Sequence, residues 1–210
     1  MNNNYNEKAL IIGVSGPSGS GKSLLVKNII ESIPDTSVAF ISADSYYLDQ
    51  SHLTFEERTN LNYDHPKSFE HSLLVSQIKQ LQSGHEIAIP CYDFTTHLRT
   101  QETKKISPAQ VIILDGILIL AMPEIRKLLD IAIFMDTPLD ICLIRRLQRD
   151  QQERHRDVNV TMAQYQETVR PMYWEFVYPS KEFADIIVPG GGKNWTAIDL
   201  IKNKIETIQK

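Results

Sequence analysis

The sequence predicts an α/β protein with a parallel five-stranded sheet flanked by helices, and three observations carry that expectation. Short apolar runs rich in β-branched residues alternate with segments of helical periodicity along most of the chain. The first run leads into Gly16-Pro17-Ser18-Gly19-Ser20-Gly21-Lys22-Ser23, which fits the pattern G-x-x-x-x-G-K-[ST]. The chain closes on Ile198, Ile201, Ile205 and Ile208, one apolar stripe suited to lying on a sheet.

The first strand is expected at residues 9–14, and the glycine-rich segment follows at its carboxyl end. Glycines there let successive N–H groups point inward around an anion, Lys22 can reach terminal phosphates, and the Ser23 hydroxyl can ligate Mg2+. A helix over 22–33 then places Leu25, Ile29 and Ile33 on one face and aims its N-terminus at the phosphate. A dinucleotide site is the rival reading, with Asp44 near the place of a ribose-binding acid. The glycine order G-x-x-G-x-G followed by Lys-Ser decides against it.

Further strands are expected at 38–42, 111–114, 131–135 and 185–188, each bounded by Gly, Pro, Asp or Ser. Leu74, Ile78 and Leu81 mark a helix, and Thr137-Pro138 opens another with a capping residue and a proline in its first turn. Residues 44–99 break the alternation. They are rich in His, Tyr, Asp and Thr, with one helix and a short strand at 86–89, and read as an elaboration placed beyond the strand ends to hold a second substrate.

The 210 residues, 42% of them hydrophobic, suffice for one domain spanning 1–210. A net charge of -4 gives no basic field for a polynucleotide, so phosphate binding must be local. The apolar run 111–122 is interrupted by Asp115 and falls short of a membrane span, and the first residues lack a leader pattern, so a soluble cytoplasmic protein with no membrane partner is expected. Cys91 and Cys142 suggest neither disulfide nor zinc site, and none of the six histidines forms an i, i+4 metal pair with an acid.

Phosphoryl transfer requires positioning and charge neutralisation. Asp44, just after the strand at 38–42, is the general-base candidate, the alternative being a loop-capping Asp. Asp115 ends a strand and can bind Mg2+ directly or through water, the alternative being a turn former before Gly116. Arg145, Arg146, Arg149, Arg154 and Arg156 form a dense group that suits an anion clamp, unless solvent or Asp150, Glu153 and Asp157 pair them. His97, near Tyr92, Asp93 and Phe94, belongs to a mixture able to hold a flat heterocycle, or to an ordinary surface loop.

Beyond the phosphate cradle the chain carries ISADSYYLD from Ile41, NYDHPKSFE from Asn62, PCYDFTTHLR from Pro90, LDGILIL from Leu114, RRLQRDQQERHRD from Arg145 and QYQETVRPMYWEFVYPSKEFADIIVPGG from Gln164. In these segments, from about Leu10 to Ile201, it resembles the uridine-cytidine kinases, which are P-loop nucleoside kinases. The resemblance implies a P-loop kinase fold with a nucleoside-binding insertion at about 44–99 and an Arg-rich lid at about 145–165. It implies ATP- or GTP-dependent phosphorylation of the 5′-hydroxyl of uridine or cytidine, with Mg2+ as cofactor. Asp44 would be the base and Lys22 its catalytic partner on the donor side. Asp64 would bind ribose hydroxyls, Tyr92 and His97 the pyrimidine, and Arg146, Arg156 and Gln164 would complete the nucleoside site. Arg149 and Arg154 would approach the phosphates, and Ser23 and Asp115 the metal. A homo-oligomer, specifically a homotetramer, is the assembly the resemblance suggests.

Five positions depart from the family pattern. Asp115 stands for a glutamate, His155 for a glycine between two lid arginines, and Tyr46 and Tyr63 for phenylalanines, while Lys193 falls in a late loop where an acid can occur. Related P-loop kinases of phosphoribulose or pantothenate are the nearest alternatives. A sugar phosphate offers no flat base to the YDFTTH segment, and pantothenate lacks the diol that Asp64 would accept. A GTP-hydrolysing switch would need an N/T-K-x-D segment at an internal strand end, and the chain has only Asn203-Lys204-Ile205-Glu206 near its close.

Overall fold

The structure, a computed structural model, describes residues 9–34 and 36–208, the side chain of Ile208 excepted. The Asn-rich start and the final side chain of the closing stripe lie outside the described residues. In chain order the elements are β1 (Leu10–Ser15), α1 (Lys22–Ser32), β2 (Val38–Ser42), α2 (Phe55–Thr59), α3 (His71–Gln82), β3 (Ile87–Asp93), β4 (Leu98–Ile106), β5 (Val111–Asp115), α4 (Pro123–Arg126), β6 (Ile131–Asp136), α5 (Leu139–Glu153), α6 (Val158–Gln164), α7 (Arg170–Met172), β7 (Ile186–Pro189) and α8 (Trp195–Ile208).

Five strands form a parallel sheet in the order β2-β5-β1-β6-β7, which puts β1 at the centre and sends it straight into the cradle. Both faces of the sheet are covered, so its strands read as continuous apolar runs, and the period of two divides their side chains between two cores. On β5, Val111 and Ile113 face one core while Ile112 and Leu114 face the other. The first core is closed by Leu25, Val26 and Ile29 of α1 and by Ile198, Ile201 and Ile205 of α8. The second is closed by Leu74, Ile78 and Leu81 of α3, the strands β3 and β4, and a set of tyrosines from the insertion. The P-loop kinase fold expected from the sequence is therefore present, with parallel strands flanked by helices.

Two local expectations are corrected. The insertion runs past Arg99 to Ile106, because β3 continues to Asp93 and pairs antiparallel with a second strand, β4, through an irregularity between Pro90 and Tyr92. Most of β4 faces solvent and lacks apolar alternation, which hides it from a periodicity reading. Thr137 does not cap α5. Its hydroxyl donates instead to the Ser20 carbonyl (2.9 Å), tying the end of β6 to the cradle.

The segment from Val158 to Phe183 is helical almost throughout, but two of its turns, Tyr165–Val169 and Tyr173–Val177, are π turns with an extra residue each.

Ile113 is fully buried in β5 between Ile12 of β1 and Phe40 of β2. Ile113→Ala should lower unfolding free energy by about 2–5 kcal/mol, the usual cost of removing a packed branched side chain. Urea denaturation checks this, and a loss below about 1 kcal/mol would show that this core readily collapses around the cavity.

Candidate active site

The turn from β1 into α1 leaves no room for a side chain at Gly16, Gly19 or Gly21. Gly16 has φ +136°, and a Cβ there would stand 2.7 Å from the Met135 carbonyl of β6. Gly21 takes the left-handed conformation at the head of α1. Lys22 is buried, and its Nζ donates to the Gly16 and Pro17 carbonyls at 3.1 Å each. Burial lowers its pKa, while Asp115 and Asp44 oppose that shift.

The Ser23 hydroxyl donates to Asp115 Oδ2 at 2.6 Å. Asp115 is the last residue of β5 and is buried, and desolvation raises its pKa against the opposing pull of Lys22 and the Ser23 hydrogen bond. Ser18, Gly19, Gly21, Lys22, Ser23 and Asp115 line one cleft, which Arg145 borders from α5. Gly16 and Ser20 serve as backbone beneath it, and Pro17 turns toward a smaller apolar chamber. The loop after β7 backs the cradle: the Asn28 side chain donates to the Gly192 carbonyl (2.8 Å), and Lys193 beside it is exposed.

A second cavity adjoins the first. It collects Asp64, Tyr92, His97, Arg146, Arg154, Arg156 and Gln164 from segments far apart in sequence. Asp44, in a 3-10 turn just after β2, and Arg149 line both cavities. Asp64 is buried, and desolvation raises its pKa against the pull of Arg146.

Aromatic rings build one wall. Tyr47, which the sequence reading did not single out, lies 5.3 Å from Tyr63 and 5.0 Å from Tyr92, and Tyr63 stacks on His97 at 4.8 Å. Of the two tyrosines that depart from the family pattern, Tyr46 donates its hydroxyl to Gln77 (2.6 Å). The buried Tyr63 and Tyr92 hydroxyls have no partner of good hydrogen-bond geometry, although they lie close enough to affect each other's ionisation. Asp93 stays out of the cavity and binds Thr95 and Thr96 in the turn between β3 and β4.

The arginines are fixed from several directions. Arg146 and Arg156 both donate to Gln164 Oε1, at 2.9 and 3.3 Å. Arg156 also approaches His97 Nε2 at 2.7 Å and the Phe94 carbonyl at 3.2 Å. Arg154 lies 4.1 Å over the Phe94 ring and lines the second cavity together with Asp44 and Arg149. Between Arg154 and Arg156, His155 adopts φ 52°, the left-handed conformation that suits the glycine usual at this place.

Beside Asp64 opens the apolar chamber, lined by Leu139, Cys142, Tyr165, Val169, Tyr173 and Val177. Burial pushes the Cys142 thiol up to about 11, so it stays protonated. Among the described residues no group of three or more His, Cys, Asp or Glu could cage a metal ion, and no helix is long and apolar enough to cross a membrane. The paired Ser23 hydroxyl and Asp115 carboxylate are oxygen donors of the kind Mg2+ takes.

His97 should remain neutral through ordinary pH. Burial, then Arg156 and Arg154, lowers its pKa from 6.5 to about 4. As pH falls below 6.5 the unfolded chain takes up this proton first, so the stability linked to neutral His97 is complete above 6.5 and is lost toward about 4. NMR titration of the ring should place its midpoint near 4, and a midpoint near 6.5 would remove neutral His97 from the site's description.

The sequence profile described as "Phosphoribulokinase / Uridine kinase family" matches residues 11–197. The chain is 50% identical over 209 residues to a protein named Uridine kinase from Vibrio atlanticus (strain LGP32), covering 98% of each. It is 49% identical to one of the same name from Aliivibrio fischeri (strain MJ11), covering 100% of each. Among solved structures it is similar to a putative fructose transport system kinase from Silicibacter sp. TM1040, with a TM-score of 0.70 at 18% identity over 90% of this chain and 93% of that one. It is also similar to phosphoribulokinase from Rhodobacter spheroides, with a TM-score of 0.63 at 14% identity over 89% and 73%. These structural likenesses bear on the fold, whereas the profile and the close relatives show that the chain belongs to the phosphoribulokinase/uridine kinase family.

Proposed function

We propose that this chain phosphorylates the 5′-hydroxyl of uridine and cytidine with ATP or GTP, giving the monophosphate, as one nucleoside kinase domain. The observation that carries this reading is the meeting of two unlike cavities at Asp44 and Arg149, one a phosphate cradle and the other walled by aromatic rings, arginines and a buried acid. The two relatives named uridine kinase support the choice of acceptor.

The donor phosphates lie on the backbone N–H groups from Gly16 to Ser23, with Lys22 exchanging its carbonyl contacts for phosphate oxygens. Ser23 and Asp115 would hold Mg2+, which when bound neutralises charge on those oxygens. In the second cavity Asp64 accepts both ribose hydroxyls, while Tyr92 and His97 hold the base within the wall that Tyr47 and Phe94 extend. Arg146, Arg156 and Gln164 form a linked set along its rim.

Asp44 takes the proton from the 5′-hydroxyl as that oxygen attacks the terminal phosphorus, and the diphosphate leaves as the bond to its bridging oxygen breaks. Arg149 and Arg154 supply positive charge around the transfer and help exclude water. The rings and the diol-accepting Asp64 favour a nucleoside over a sugar phosphate or pantothenate. A cytoplasmic setting belongs to the same reading. Trp174 and Tyr178, half-exposed and with ring centroids 5.0 Å apart, offer an apolar patch that a homo-oligomer would cover.

Incubation of the protein with ATP, Mg2+ and a panel of nucleosides, with products identified by mass, tests the reading. UMP and CMP should form while purine nucleosides remain unchanged, and ATP consumption without a phosphorylated nucleoside would overturn it.

Asp44→Asn should lower kcat by about 10²- to 10⁴-fold, the range for a lost general base, with nucleoside affinity nearly unchanged. Equal losses in affinity and rate would make Asp44 a substrate anchor. Lys22→Ala should abolish turnover with little loss of folded protein by circular dichroism, because the lost charge faces the donor. Near-normal turnover would reject the phosphate cradle.

A further inference from the structure

Asp150 lies on α5 beneath the arginine group, with none of its surface exposed and no part in lining either cavity of the site. Its Oδ1 accepts both Nε (2.9 Å) and Nη2 (2.8 Å) of Arg149 and lies 3.5 Å from Arg154. Its Oδ2 lies 3.6 Å from Arg146, and its backbone carbonyl accepts from the Arg156 N–H (3.0 Å). Three arginine side chains that line the second cavity thus converge on one carboxylate, and the backbone of a fourth, Arg156, is tied to the same residue. Burial disfavours its charge, but Arg149, Arg146 and Arg154 more than offset this and hold its pKa down. A solvated surface acid would not gather so many cations, nor would it need to be buried.

We propose that Asp150 is a positioning residue for phosphoryl transfer: it holds Arg149 by Nε and Nη2, so that the rest of the guanidinium serves the junction where Asp44 also stands. Without that grip the side chain of Arg149, about a third exposed, could swing into solvent or toward Asp44. Asp150 therefore acts through Arg149 on the reacting group without touching substrate. The inference rests on the kinase reading above. Failure of the unaltered protein to phosphorylate uridine would defeat that reading, whereas normal turnover by the Asp150 variants of an active parent would defeat this inference alone.

The test is steady-state kinetics with uridine and ATP for the unaltered protein, Asp150→Asn, Arg149→Ala and the double variant. Asp150→Asn should lower kcat by about 10- to 100-fold, in line with the cost of a misplaced group, with both KM values within about threefold of normal. The double variant should be no slower than Arg149→Ala, because one residue acts through the other. An unchanged kcat in Asp150→Asn, or losses that multiply in the double variant, would overturn the proposal.

Removing the acid leaves several buried cations uncompensated, which can prevent folding. Asp150→Glu retains the charge and displaces the carboxylate by one methylene, and it should lower kcat by about 3- to 10-fold with KM unchanged. A normal kcat in this variant would overturn the proposal, since placement would then not matter.

Discussion

The site depends on a backbone turn held open by contacts with three other strand ends. β1 ends at Ser15, whose hydroxyl donates to the Ile117 carbonyl (2.9 Å) beyond β5. The Ser20 carbonyl receives the Thr137 hydroxyl from beyond β6, and Gly192 after β7 packs against Gly21. A free glycine-rich loop would sample many shapes at an entropic cost repaid only on binding. Here the sheet order has already fixed the loop, since β1 lies between β5 and β6 and its exit is enclosed on both sides. The cradle's shape is thus a consequence of strand order as much as of the loop's own residues.

Charge is distributed to match. The chain carries a net charge of -4, yet Lys22 and five arginines, from Arg145 to Arg156, gather around the clefts. Desolvating so many cations is costly, and the acids Asp44, Asp64, Asp115 and Asp150 lie among them and offset part of that cost. An anionic ligand completes the balance, so affinity for phosphate arises locally and needs no basic surface elsewhere.

Much of the fold was legible because a buried parallel strand requires an apolar run and a surface helix requires a stripe. The segments around Ile12, Ile41, Ile113 and Ile133 all satisfied the first rule, and Leu25 with Ile29 the second. β4 was not legible because its exposed middle carries no buried face, and Thr137 because a capping pattern does not reveal that a distant carbonyl will claim the hydroxyl. The cradle could be read since its residues are contiguous. In the second cavity, His97 stood out by its polar and aromatic segment, Asp64 came from family resemblance, and Tyr47 from the structure alone, because the rings meet only after the insertion folds. Nothing local distinguishes Asp150 from the solvated acids near it, since its burial follows from the packing of α5 and the segment after it.

The π turns at Tyr165–Val169 and Tyr173–Val177 explain how Tyr165, Val169, Tyr173 and Val177, spaced by four, all reach one apolar chamber. In a regular α-helix each four-residue step overshoots a full turn by about 40°, so the last of these side chains would point about 120° away from the first. The wider turns absorb that drift. Each is in effect an accommodated insertion: tightening either turn to α geometry with its extra residue kept would rotate everything after it by about 100°. The width of the turns along this wall is therefore as restrictive as residue identity: a conservative replacement of Val169 alters one contact, whereas regularising a π turn changes which residues form the wall.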